Sequence, residues 1–118
     1  MRILVLEIEP LSLLIKHMLS RFNYDADVTP DIAEALQWYN ERAPYDIVLT
    51  GLFSANGISL AAHIRRTNPT QVVGIMTGVG GEEPLSRVHE LNFPVLRKPY
   101  SADELIDFIE NIKPTGVR

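Results

Sequence analysis

Several side chains of kinds that do chemistry stand where short apolar runs end. Ile3-Leu4-Val5-Leu6 is followed by Glu7, Ile8 and Glu9; Ile47-Val48-Leu49 by Thr50, Gly51 and Leu52; Ile75-Met76 by Thr77 and Gly78; Val95-Leu96 by Arg97, Lys98 and Pro99. Brought together, these ends would place a carboxylate (Glu7), an ammonium (Lys98) and a hydroxyl (Thr77) in one small pocket. Lys98 then reads either as an anion sensor or, more simply, as the cation that neutralises Glu7, since a buried charge needs a partner. Thr77 reads as a turn hydroxyl bonded to backbone. Thr50 is expected to point away from such a pocket, because adjacent strand residues face opposite sides of a sheet.

Other chemistries find little support. There is no cysteine, hence no thiol nucleophile, disulfide framework or cysteine zinc site. His17, His63 and His89 fall on separate expected helices at no metal-ligand spacing and read as solvated residues. Gly78, Gly80 and Gly81 lack the Lys-Ser/Thr that completes a phosphate-binding loop and read as a flexible connection. Arg65-Arg66 suits the C-terminal end of a helix, where cations meet the dipole. Eleven Lys and Arg against fifteen Asp and Glu give a net charge of -4, which offers little attraction to nucleic-acid phosphates. Hydrophobic residues at 46% and charged residues at 22% describe an ordinary globular chain rather than a disordered one. No apolar run approaches the roughly 20 residues that a transmembrane helix needs. The first run is too short for a signal-peptide core and meets Glu7 at once, so a cytoplasmic protein is expected.

Hydrophobic periodicity predicts the elements that must position these residues. Apolar runs at 3–6, 47–49, 72–76 and 93–96 read as strands covered on both faces, the pattern of a parallel sheet, and 26–29 as an alternating edge strand. Leu11, Leu14, Ile15, Met18, Leu19 and Phe22 form a first helical stripe, ended by Asn23. Thr29 is expected as the N-cap of a second helix with Pro30 at its first position. That helix shows Ile32, Ala35, Leu36 and Tyr39 to the core, which leaves Trp38 partly exposed as a contact candidate. A third begins near Gly57 and carries Leu60, Ala61 and Ile64; a short fourth covers 84–91. Ser101 and Glu104 make a capping box for a fifth, with Leu105, Ile109 and Ile112 as its stripe. Five strand–helix alternations predict an α/β fold, a flavodoxin-like doubly wound five-stranded parallel sheet of order 2-1-3-4-5 with five helices, (βα)5. Residues 1–113 form this domain and 114–118 a tail. In such sheets function collects beyond the carboxyl ends of the strands.

Those strand ends, taken in order, resemble the receiver domain of bacterial two-component response regulators over essentially the whole chain. Ile3-Leu4-Val5-Leu6-Glu7-Ile8-Glu9-Pro10 is similar to the family's opening strand with its acidic pair and Glu-Pro. Tyr45-Asp46-Ile47-Val48-Leu49-Thr50-Gly51-Leu52 resembles the third strand, and Asn56-Gly57 the turn that follows it. Met76-Thr77-Gly78 resembles the switch-threonine segment, and Val95-Leu96-Arg97-Lys98-Pro99-Tyr100 the lysine-proline segment. Thr77-Gly78-Val79-Gly80 and the stretch to Tyr100 further resemble stand-alone receivers with a shortened or irregular fourth helix.

The resemblance implies phosphoryl transfer from a histidine kinase to an aspartate at the third strand's end, with magnesium held by that aspartate and the acidic pair. Here the acceptor position is Gly51 and the second acidic position is Ile8, so of the three carboxylates only Glu7 is present. Glycine has no nucleophile, and a lone carboxylate holds magnesium weakly or not at all. A degenerate receiver, or pseudo-receiver, is therefore expected: not an enzyme, without a cofactor or a metal site, and with Glu7, Ile8, Gly51, Thr77 and Lys98 as a vestigial phosphorylation pocket. Its function is expected to be protein–protein contact with a histidine kinase or another regulator, or with a second copy in a homodimer. The alternatives are a small ligand or anion in the vestigial pocket, and phosphorylation on a substitute residue. The family's output surface points to Val95, Tyr100, Leu105, Phe108, Ile109 and Ile112 as an interaction face. Val95 stands where the family carries a rotating aromatic, and the Phe108 side of the last helix is either a partner face or extra core packing.

Overall fold

The computed structural model describes residues 1–51, 55–77 and 92–116. Strands β1 (Arg2–Leu6), β2 (Asp25–Thr29), β3 (Ile47–Gly51), β4 (Val72–Thr77) and β5 (Val95–Arg97) form one sheet in the order β2-β1-β3-β4-β5. Every neighbouring pair is parallel. This is the flavodoxin-like arrangement expected from the alternation of apolar runs and amphipathic segments. The inner strands β1, β3 and β4 are the continuous apolar runs, because both their faces are covered. The alternating β2 and the short β5 are the two edges.

Side-chain alternation divides the core into two layers. Leu4, Leu6, Val48, Val73 and Ile75 face one side, beneath helices α2 (Ile32–Arg42) and α3 (Ala55–Thr67). Ile3, Val5, Ile47, Leu49 and Met76 face the other, beneath α1 (Leu11–Arg21) and the last helix, α4 (Ala102–Ile112). The capping box of α4 is present as expected, with Ser101 Oγ accepting from Glu104 N at 3.1 Å and Glu104 Oε1 accepting from Ser101 N at 3.1 Å. The expected short helix over 84–91 lies outside the described residues.

Several expectations need correction. The N-cap of α2 is Asp31, whose Oδ1 accepts from Ala33 N at 2.8 Å and Glu34 N at 3.4 Å. Thr29 is instead the last, buried residue of β2, where its Oγ1 accepts from Asp31 N at 3.1 Å. An aspartate outcompetes a threonine two residues earlier because its carboxylate meets both free N–H groups and the positive end of the helix dipole. Helix α3 starts at Ala55, not near Gly57, and β5 starts at Val95, not Phe93. Phe93 is still core, with the Arg65 guanidinium 4.4 Å over its ring. On α1 the buried line is Ser12, Ile15 and Leu19, while Leu14 and Phe22 are 50% and 43% exposed. A helix lying on a sheet buries a narrower arc than its full apolar stripe.

Periodicity does not single out Gly74, yet this residue sets how closely α4 approaches β4. A Cβ there would lie 2.8 Å from the Phe108 ring, 2.9 Å from Ile112 Cδ1 and 3.0 Å from Leu49 Cδ2. Phe108 and Ile112 are thus packed onto the sheet above a residue with no side chain. Replacing Gly74 by Val is expected to overpack this contact and lower the unfolding free energy in urea by about 1–3 kcal/mol.

At the far end of α4, Tyr24 donates a hydrogen bond to Glu110 Oε2 at 2.7 Å, and Lys113 Nζ lies 2.8 Å from Glu110 Oε1. Hydrogen bonds from Lys113 and then Tyr24 hold the Glu110 carboxyl below its usual range. Burial, followed by the bond to Glu110, pushes the Tyr24 phenol from 10.0 to about 12. Because the folded state holds this proton more tightly, its contribution to stability is complete below pH 10.0 and is lost as pH rises toward about 12. Ultraviolet titration should show this late phenol, and Glu110→Gln should move it back toward the ordinary tyrosine value.

Candidate functional site

The parallel register delivers Glu7 and Gly51 to the same place. Leu6 pairs with Thr50 across β1 and β3, so the next residues, Glu7 and Gly51, stand side by side at the carboxyl ends. Both continue the alternation of Ile3, Val5, Ile47 and Leu49, the face covered by α1 and α4. Thr50 follows the alternation of Val48, toward α2 and α3, as expected.

Glu7 is completely buried, and its Oε2 lies 2.9 Å from Lys98 Nζ. Its Oε1 accepts from Ile8 N at 3.0 Å. Lys98 follows β5, three strand spacings from β1, a distance of about 14 Å. The two side chains must therefore meet over the intervening strand ends. Gly51 makes this possible: a Cβ on it would lie 2.5 Å from Glu7 Cδ and Oε1 and closer still to Oε2. Position 51 thus contributes space, and the carboxylate of Glu7 fills it.

The remaining pocket residues are placed less centrally. Ile8 is 42% exposed at the mouth and meets the carboxylate through its backbone N–H. Thr77 is buried on the alternation of Val73 and Ile75, and its backbone oxygen accepts from Lys98 N at 2.7 Å, fixing the base of the lysine. Tyr100 contributes something that residue type and spacing do not suggest. Burial, and then the negative charge of Glu7, push its phenol well above the ordinary range, and its hydroxyl reaches Met76 Sδ at 3.5 Å.

Of the interaction face expected around the last helix, Leu105 and Ile109 are interior, and Val95, Tyr100, Phe108 and Ile112 are half-buried. Phe108 and Ile112 wedge onto Gly74, and Val95 packs against the α2–α3 core. Trp38 is half-buried, with the Arg42 guanidinium 4.6 Å over its ring. Exposed apolar surface lies instead on α1 and just before it, where Ile8, Leu13, Leu14 and Phe22 are 42–62% exposed. A groove of about 290 Å³ runs there, lined by Leu14, His17, Met18, Arg21, Phe22 and Ala102. Among the described residues no three His, Asp or Glu side chains converge as metal ligands, and no helix is long and apolar enough to cross a membrane.

No protein-family model matches the chain. Solved structures do match closely in shape. The Francisella response regulator 1452 receiver domain superposes with a TM-score of 0.79 at 26% identity, covering 94% of either chain. A response regulator receiver domain protein from Clostridium thermocellum gives a TM-score of 0.83 at 23% identity, over 94% of this chain and 92% of that one. The chain has the response-regulator receiver fold. NtrX from Brucella abortus, at a TM-score of 0.81 and 26% identity, matches 94% of this chain with 26% of its own length, so the present sequence spans about a quarter of that protein.

On a receiver fold the strand ends are where a magnesium ion is expected, and the residues here do not fit one. A hard divalent cation needs several oxygen ligands. Position 51 has no side chain, Ile8 is apolar, and the carboxylate of Glu7 is already engaged with an ammonium at 2.9 Å. The lysine instead satisfies the charge that burial would otherwise leave exposed to a low-dielectric interior. Lys98→Met leaves that carboxylate without its cation and is expected to lower unfolding free energy by about 3–5 kcal/mol, measured by urea denaturation at neutral pH.

Proposed function

We propose that this chain is a receiver-like signalling module of a bacterial two-component system that works by protein–protein contact, in the cytoplasm, without aspartyl phosphorylation and without enzymatic activity. The observation that carries this reading is the content of the strand-end pocket: no nucleophile at position 51 and a Glu7 carboxylate seated there against Lys98. In-line phosphoryl transfer needs an attacking oxygen and a cation to bridge the transferring group, and neither requirement is met by Gly51, Ile8 and a lysine-paired Glu7. The partner is a histidine kinase, another regulator or a second copy, and the exposed Leu13, Leu14 and Phe22 on α1 offer apolar contact area.

The alternatives are less well supported. A small ligand in the vestigial pocket would compete for space with Glu7 itself. A substitute phosphosite at Thr50 is disfavoured by its alternation to the opposite face of the sheet.

Intact-mass measurement after incubation with acetyl phosphate and magnesium, or with a phosphorylated histidine kinase, should show no added phosphoryl group. Repair of the site needs acids at positions 8 and 51, and a Cβ at 51 requires the end of the Glu7 side chain to move aside. The triple variant Glu7→Asp, Ile8→Asp, Gly51→Asp should gain magnesium-dependent shifts in amide NMR and a phosphoryl adduct. Phosphorylation of the unaltered chain would overturn the reading.

A further inference from the structure

The two helices on one face of the sheet carry opposite charges. Helix α1 has Lys16, His17 and Arg21 and no acid, whereas α4 has Asp103, Glu104, Asp107 and Glu110 and no base. Each returns from the carboxyl end of a parallel strand, so the two run side by side in the same direction, with Ile15 and Leu19 sharing a core layer with Leu105 and Ile109. The Tyr24–Glu110 hydrogen bond, between residues 86 apart, sets their relative height. The same offset puts His17 level with Asp103 and Arg21 level with Asp107, and the groove that holds Leu14 beside Ala102 keeps nearly that offset. Glu104 is engaged in the capping box, and Glu110 with Tyr24 and Lys113. His17, Arg21, Asp103 and Asp107 are exposed, and among the described residues none of these four is in an ion pair. Between the two rows lies apolar surface, with Leu14 and Phe22 50% and 43% exposed and Met18 in the groove beside them.

A face that is basic along one side of an apolar groove and acidic along the other repels a uniformly charged partner over half its area. It fits a partner in which the two rows are exchanged. A second copy related by a two-fold axis along the groove has them exchanged, because that rotation keeps the height along the helices and swaps their sides. We propose that this face closes an isologous homodimer in which α1 of each copy lies over α4 of the other, His17 and Arg21 meeting Asp103 and Asp107 around a centre of Leu14, Met18 and Phe22. Resting on the reading that the chain works by protein–protein contact, this assigns the exposed side of α1 to a second copy of the chain.

Charge reversal tests it. Sedimentation equilibrium of the unaltered chain, at concentrations up to millimolar, should show a reversible monomer–dimer equilibrium. His17→Glu, Arg21→Glu makes both rows acidic, and Asp103→Lys, Asp107→Lys makes both basic. Each pair should raise the dissociation constant at least about tenfold, since like charges then meet across the axis. An equimolar mixture of the two reversed chains should form a heterodimer, and all four changes in one chain should restore the homodimer. Amide NMR spectra check that each variant keeps the fold; if a reversed chain does not, Leu14→Gln takes its place and should also weaken the dimer. An unaltered chain that stays monomeric throughout overturns the homodimer alone, even if an added histidine kinase shifts the amides of α1 and α4; the contact reading fails separately, by phosphorylation of the unaltered chain. A dimer indifferent to both reversals and to Leu14→Gln, or folded reversed chains that stay monomeric when mixed, puts the interface elsewhere and overturns the proposal.

Discussion

A fully buried carboxylate must be matched by a cation, and much of the carboxyl-terminal end of this sheet is arranged around that requirement. Glu7 follows β1, Lys98 follows β5, and two strands lie between them. The pair closes because Gly51 presents no side chain in the way and because the Thr77 backbone oxygen anchors the lysine's own N–H. Such a pair is not a large source of stability, since desolvation offsets most of the Coulomb attraction. Its effect is to make the geometry specific: loss of Lys98 strands the Glu7 carboxylate in the interior.

The same principle, a missing side chain admitting a distant one, recurs in the hydrophobic layer. Gly74 lets Phe108 and Ile112 of α4 settle onto β4 beside Leu49. The result is that the last helix seats Leu105 and Ile109 fully, and the tips of Phe108 and Ile112, on the sheet. Apolar surface is instead exposed on α1, whose buried line is only Ser12, Ile15 and Leu19. On this receiver fold the exposed apolar surface lies along the first helix, away from the buried Glu7–Lys98 pair at the strand ends.

The strand order and the two-layer core are legible in the sequence, because they follow from the pattern of apolar runs and helical stripes. Apolar runs with β-branched residues and helical stripes follow from hydrophobic burial at periods set by backbone geometry. Sequence and structure part where two local signals compete, as Thr29 and Asp31 do for one helix end, or where a stripe such as Leu14 and Phe22 is wider than the surface available to cover it. The pairing of Glu7 with Lys98 also follows from charge alone, given the strand ends.

What the sequence by itself determined is therefore the fold and the residue types at the strand ends, the glycine at position 51 among them, since each is a property of residue type in a repeating element. Only the tertiary structure decided which side chain fills the space at that glycine, and that the last helix faces inward on Gly74. Those outcomes depend on the reach and volume of side chains more than 40 residues apart in sequence, such as Glu7 and Gly51, and no local periodicity encodes such distances.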